Sequence, residues 1–467
     1  MFLFSAIPAR SFFNRVKKML QNHEIDMLHG SLWDKIVWFT IPLALTGVFQ
    51  QLLNAADVAV LGQFVGKNAM AAVGNNTALV GLILSLFMGL SLGANVVIAQ
   101  NIGAEKFDKV RTTVHTAFLM SLITGIGMVA VSELIVSPIF YLLSVPPEVE
   151  EAAEIYLRIF LPGIPGIIVY NFEAAILRSR GDTRTPLIAL IFASTMNIAL
   201  NLVFVLKFDW GIEGVAVATD IANTCAAIML FVVLLKTDGY LRLDFSEMKI
   251  DRAGLKEIIS IGLPAGVQGM VFSLSNVLIQ SAINSLGPNV MAGSAAAFTI
   301  EINMFCIMNA FGQAATTFVG QNYGAGNLAR CKDVTRTAIK IGSIVIISLS
   351  ILILYFVENL IGFYSSDPAV IETGAIRLWF FMSAEIVNVF MEVLAGSLRG
   401  YGFSTAPAVI TLIFACGIRV FWVFVIFEMY PSYKVLMAVY PVTWIVTTIV
   451  LVFAYRFYMK HLKVVSL

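Results

Sequence analysis

Charge is scarce in this sequence: Asp, Glu, Lys and Arg make up 13% of its 467 residues, about half the usual share for a soluble domain. The four cysteines, Cys225, Cys306, Cys331 and Cys416, show no paired spacing, which points to neither a disulfide framework nor a thiolate metal site. Of four histidines only His115 falls near an apolar run, so a histidine proton relay has little to build on. No phosphate loop, nucleophile with its base or cluster of metal ligands is legible. The chain is therefore read as no enzyme, with no catalytic residue, resident cofactor or ATP use of its own. A net charge of +1 gives no footing for nucleic acid. Residues 1–22 carry basic side chains and Phe but no long apolar stretch before a small-residue cleavage site. An interfacial or disordered segment is expected there rather than a secretory signal.

What the sequence has is apolar length. Hydrophobic residues make up 59% of the chain and the mean hydropathy is +0.87. About twelve apolar runs of roughly 18–25 residues can be placed, and a helix of that length, rising ~1.5 Å per residue, crosses a hydrocarbon layer of about 30 Å. The runs are continuous rather than alternating, which argues against a barrel, and a helix satisfies its own backbone in lipid. Basic residues gather in alternate connections: Lys106, Lys109 and Arg111 after span 2, Arg178, Arg180 and Arg184 between spans 4 and 5, Arg330, Lys332 and Arg336 after span 8. The positive-inside bias puts these loops and both termini in the cytoplasm, with the chain crossing the cell (inner) membrane many times.

The two halves echo each other at an offset of about 220 residues. Ile41-Pro42 answers Leu263-Pro264, Gln100-Asn101-Ile102-Gly103-Ala104 answers Gln321-Asn322-Tyr323-Gly324-Ala325, and Leu177-Arg178-Ser179-Arg180-Gly181 answers Ser397-Leu398-Arg399-Gly400. Six spans is an even number, so the repeats are parallel and related by an axis along the membrane normal. The expected fold is an all-α polytopic membrane protein of twelve transmembrane helices in two six-helix repeats. Its parts are a cytoplasmic segment 1–35, an N-lobe 36–236, a cytoplasmic linker 237–256, a C-lobe 257–457 and a tail 458–467.

Polar residues inside the spans break the symmetry. Asp57 lies in span 1, where an ionised carboxylate costs at least ~2.5–3.5 kcal/mol unless partnered, protonated or wetted. Asn197 and Asn201 stand four apart on one face of span 5, and Thr219 is in span 6. Counting the rise per residue puts all four roughly 7–14 Å deep in the external half, close enough to form one oxygen-lined site. Such a site suits Na⁺, or the carboxylate takes up a proton instead. The bland alternative is a hydrogen-bonded clamp between helices. The second half has Leu278 or Ile279, Ile418, Trp422 and Tyr440 at the equivalent places. It has instead Glu301 at the start of span 8 (294–320), Glu385 midway along span 10 and Arg419 well inside span 11. Arg419 cannot shed its proton, so Glu301 or Glu385 is its expected partner, either as a buried strut or as part of a substrate-binding surface for cationic compounds. Glu173 near Arg178, and Glu392 near Arg399, read as interfacial helix-end charges. Glu133 sits near the outer end of span 3, and Asp220, beside Thr219, is read as facing a neighbouring helix.

With Gln321-Asn322-Tyr323-Gly324-Ala325-Gly326, Leu177-Arg178-Ser179-Arg180-Gly181-Asp182-Thr183, Leu398-Arg399-Gly400-Tyr401-Gly402 and the polar set of spans 1, 5 and 6, the chain resembles the multidrug and toxic compound extrusion (MATE) family over about residues 30–460. The resemblance implies two six-helix lobes around a central cavity open alternately to either side, and export driven by inward Na⁺ or H⁺ flow. It also implies an N-lobe cation site with an Asp in the first helix, Asn and Asp four apart in the fifth and Thr in the sixth. Here the second acid is Asn201, which lowers the charge of the site. Some members carry acids in the seventh and tenth helices; span 7 here has Gln268 and Asn276 but no acid.

The function expected is a secondary antiporter exporting small amphiphilic or cationic compounds, working as a monomer in contact with membrane lipid. The alternatives are a lipid-linked oligosaccharide flippase, which calls for several buried Arg or Lys to hold a pyrophosphate, and a channel, for which no filter motif is evident.

Overall fold

The structure, a computed structural model, describes residues 24–143 and 147–462, the side chains of 67–79 and 134–152 excepted. Twelve helices are long and apolar enough to cross a membrane. They are α1 (Leu32–Val65), α2 (Lys67–Gly103), α3 (Phe107–Leu143), α4 (Pro147–Phe160 and Ile164–Ser179, joined by a 3-10 turn), α5 (Arg184–Leu206) and α6 (Gly211–Lys236) in the first half. The second half has α7 (Arg252–Asn284), α8 (Pro288–Gly324), α9 (Leu328–Tyr355), α10 (Pro368–Gly400), α11 (Thr405–Phe427) and α12 (Tyr433–His461). Helix starts follow local chemistry. Asp251, Asn327 and Asp367 accept hydrogen bonds from first-turn backbone N–H groups of α7, α9 and α10, and Pro288 and Pro368 open α8 and α10.

The duplication is visible in the backbone. Left-handed φ values recur at Gly66 (126°) and Gly287 (99°), at Gly181 (100°) and Gly402 (92°), and at Glu105 (56°) and Gly326 (72°). In the last pair the first half uses Glu where the second uses Gly, so the first half carries the strain of that turn. Asn101 and Asn322 each donate from Nδ2 to the carbonyl four residues back, at 2.8 Å.

The lobes interlock at the face that bears the basic loops. The early residues of α1, Ile36, Phe39 and Leu43, join the core of the second half, with Phe39 edge-on to Phe318 at 5.4 Å. Ile258 and Ile261 of α7 join the core of the first half. Gly89 and Gly93 of α2 face Gly262 and Gly266 of α7 so closely that a Cβ at any of them would strike opposing backbone. Small residues let apolar helices approach this way in lipid, where van der Waals packing drives association.

Two contacts related by the repeat close this face. Gln100 Nε2 donates to Gly400 O across 2.8 Å, and Gln321 Nε2 donates to Ser179 O across 2.6 Å. A Cβ on Gly103 would meet the Gln321 backbone, and one on Gly324 the Gln100 backbone. On the same interface Thr317 Oγ1 donates to Asn95 Oδ1 at 2.9 Å. The segment before α1 lies over the closure. Met27 is buried, and its carbonyl accepts from Asn322 Nδ2 (3.0 Å) and Arg330 Nε (3.2 Å), while Glu24 pairs with Arg180 at 3.2 Å. His115 has both ring nitrogens engaged: Nδ1 with Arg111 O (2.8 Å) and Nε2 accepting from Asp244 N–H (3.0 Å). It fastens the linker to α3.

Candidate functional site

Three helices of the first half bring Asp57, Asn197, Asn201 and Thr219 together, and all four are buried. Asn201 Nδ2 donates to Asp57 Oδ1 at 2.6 Å and also to Asn197 Oδ1 at 3.1 Å. Asn197 Nδ2 donates to Thr219 Oγ1 at 3.0 Å, and Thr219 Oγ1 stands 3.0 Å from Asp57 Oδ2, which closes the ring. The Thr219 hydroxyl has a single proton and a second acceptor in reach, Val215 O at 2.9 Å. The spacing of Asn197 and Asn201 makes this possible, because residues four apart meet on one helical face.

The charge balance is what distinguishes the ring. Among the described residues no basic side chain compensates Asp57. The Oδ1 of Asn201 is buried and without a hydrogen-bond partner among the described residues. A half-turn of the Asn201 amide would swap its Nδ2 for that oxygen beside Asp57. The site would then present the carboxylate, two amide oxygens and the Thr219 hydroxyl, a donor set suited to a hard cation. With the amide as it stands, the N–H groups hold the carboxylate, and a proton on Asp57 removes the uncompensated charge.

The second half is arranged differently from expectation. Glu301 does not lie at the start of a span: α8 begins at Pro288, which puts Glu301 well inside it. Its partner is Arg377 of α10, not Arg419. Arg377 Nε and Nη2 reach the two Glu301 oxygens at 2.8 Å each, and Nη1 donates to Ser294 Oγ at 2.5 Å. The guanidinium also lies over Phe381 (5.2 Å) and Phe298 (5.6 Å). Geometry this complete is what a buried ion pair requires to offset its desolvation. Arg377 is a residue that sequence reasoning missed, although a basic residue inside span 10 was as visible a signal as Arg419. Glu385 is buried and takes a 3.3 Å hydrogen bond from Asn388 Nδ2, with no basic partner among the described residues.

Arg419 pairs with neither acid. Its Nη1 donates to Asn276 Oδ1 (2.8 Å) and Ser275 Oγ (3.2 Å) of α7. Glu173, near the end of α4, is 0% exposed with neither carboxylate oxygen hydrogen-bonded among the described residues. Asp220 does face the neighbouring helix, against the Gly163 backbone of α4, and Glu133 contacts Arg158. Gln268 joins α10 to α11, accepting from Arg399 Nη2 at 2.9 Å and donating to Thr411 Oγ1 at 3.0 Å.

A paired-lobe helical bundle with a buried carboxylate ring in one lobe can be compared with known proteins. The model of the MatE family matches residues 42–203 and again residues 264–425, once in each half. The chain belongs to the MATE family. Among its relatives are a protein of Thermotoga maritima described as a probable multidrug resistance protein NorM, 30% identical over 81% of this chain and 82% of its own length, and a protein of Bacillus subtilis described as a probable multidrug resistance protein YoeA, 25% identical over 94% and 96%. A solved structure described as the outward-facing conformation of a multidrug resistance MATE family transporter of the MOP superfamily superposes with a TM-score of 0.86 at 23% identity, covering 94% of this chain and 98% of that one. As a MATE protein the chain is a multi-pass membrane protein with two six-helix lobes.

Proposed function

We propose that this MATE protein is a secondary antiporter that exports small amphiphilic, often cationic, compounds by alternating access, driven by H⁺ or Na⁺ entering at Asp57. The observation that carries the reading is the ring of Asp57, Asn197, Asn201 and Thr219, one uncompensated carboxylate inside a membrane lobe. Such a charge is costly and marks an ion path more often than a strut. The names of the Thermotoga and Bacillus relatives support export of drug-like compounds. With the basic face taken as cytoplasmic, the Gln100 and Gln321 clasps keep that side shut, which suits a state that receives its ion from outside. Ion binding at Asp57 rearranges the ring and disfavours the drug-bound outward state, so each ligand prefers a different conformation and the two flows couple. Glu385 is the substrate-side acid with its charge free of a basic partner among the described residues. A flippase holding a pyrophosphate would need several uncommitted buried cations, and Arg377 is already neutralised by Glu301.

The test is efflux of a fluorescent cationic dye from vesicles of defined lipid, with Na⁺ and pH gradients imposed one at a time. Gradient-driven efflux under at least one of them is expected. Dye movement indifferent to both gradients would contradict antiport.

A further inference from the structure

The C-lobe repeats the three-helix geometry of the Asp57 ring with the opposite charge. Asp57, Asn197 with Asn201, and Thr219 come from α1, α5 and α6; their counterparts in the second half are α7, α11 and α12. Between those three lies Arg419, itself on α11. It takes Ser275 and Asn276 from α7, and its guanidinium lies over Phe272 of α7 at 4.6 Å and Tyr440 of α12 at 4.9 Å. Tyr440 occupies the repeat position of Thr219. The helix widens into π-type turns on both sides of the Arg419 turn, at Thr411–Gly417 and Trp422–Phe427, a distortion common at functional sites.

The guanidinium is 0% exposed, yet only Nη1 is used. Nε and Nη2 are buried without a hydrogen-bond partner, and no carboxylate compensates the charge among the described residues. These two groups form one edge of the planar fork, with parallel N–H donors that match the two oxygens of a carboxylate. The same protein shows this edge at work: Arg377 uses Nε and Nη2 to take both oxygens of Glu301 at 2.8 Å. Arg377 and Arg419 both lie over the Tyr440 ring. Glu301 pairs with Arg377, which leaves Arg419 without an ionic partner among the described residues, and an unmatched cation inside a membrane lobe is costly.

We infer that the C-lobe contains a carboxylate-binding site, in which the Nε/Nη2 edge of Arg419 takes the carboxylate of a small organic anion and Phe272 and Tyr440 flank it. The carboxylate comes either from a transported amphiphile, a molecule bearing a cationic and an acidic group among them, or from a free monocarboxylate that rides with the lobe. The site is independent of which ion enters at Asp57.

Radiolabelled benzoate is the probe, measured by equilibrium dialysis on the purified full-length protein in detergent. Wild type should bind it saturably, one per chain, displaced by acetate and not by benzamide, which has the same ring without the charge. Arg419→Gln should lose affinity about tenfold or more, and Arg419→Lys, which keeps the charge but not the fork, should fall between. If Arg419→Gln does not fold, the wild-type comparison of benzoate against benzamide stands alone. Absence of saturable wild-type binding overturns the site, as does equal binding by a folded Arg419→Gln. The source follows from vesicle efflux of a carboxylated dye and its methyl ester. Loss confined to the acid in Arg419→Gln assigns the site to cargo; equal loss of both, with benzoate binding gone, assigns it to a free carboxylate.

Discussion

The two lobes share a scaffold and differ in what they bury. In the first, a lone carboxylate is held by neutral amides and a hydroxyl from α1, α5 and α6. In the second, the matching helices bury the Arg419 guanidinium against two aromatic rings, and a complete ion pair, Glu301 with Arg377 on α8 and α10, shares the Tyr440 ring with it. The face closure, by contrast, is symmetric, with Gln100 and Gln321 making the same contact from opposite sides. Duplicated parts therefore carry the packing common to both lobes, while the buried charges on matching helices have diverged in sign. In the reading proposed above, the complete pair is a strut and the two unmatched charges are binding groups.

The difference between strut and site gives the largest expected effect. Arg377→Met leaves Glu301 buried and alone, and should lower stability by about 3–5 kcal/mol, read as thermal unfolding in detergent. Adding Glu301→Leu should restore most of it. Arg419→Met removes a charge that nothing matches among the described residues and should cost much less; equal losses for the two arginines would erase the distinction.

The symmetric closure is probed next. Gly103→Val and Gly324→Val each push a side chain into the opposing backbone and should destabilise the closed face by about 1–3 kcal/mol. Hydrogen exchange at residues 100–106 and 321–327 should quicken alike in both variants. A response in only one lobe would show that the closure is not shared.

Asn201→Asp supplies the second acid that the family pattern carries at this place. It should tighten Na⁺ binding about tenfold, roughly 1.4 kcal/mol, and move dye efflux toward Na⁺ dependence. If ion preference and affinity stay put, the ring does not select the ion. Smallest is Gln100→Leu, which removes one neutral hydrogen bond worth about 1 kcal/mol and should raise the rate of opening at the basic face slightly, as Gln321→Leu should.

Much of this was legible in the sequence where the signal was local or repeated. The spans declared themselves by length, and the duplication by loops such as Gln100 to Ala104 and Gln321 to Ala325. The Asp57 ring was readable because Asn197 and Asn201 share a helix face and because the family pattern names the helices that meet. The charges of the second lobe were not, since choosing partners among Glu301, Glu385, Arg377 and Arg419 depends on helix rotation and on where α8 begins. Six residues of extra helix ahead of the expected start moved Glu301 from a span end to an interior position. The burial of Met27 under Asn322 and Arg330 depends on contacts some 300 residues apart in sequence, beyond any periodicity.

The central claim is that the first lobe holds the ion that drives transport and the second does not. Its most direct test is gradient-driven efflux of a cationic, carboxylate-free dye from vesicles carrying wild type, Asp57→Asn or Arg419→Gln in equal amounts. Efflux should fall to the no-gradient level in Asp57→Asn and stay gradient-dependent, at whatever rate, in Arg419→Gln. Gradient-driven efflux that survives Asp57→Asn would contradict the account.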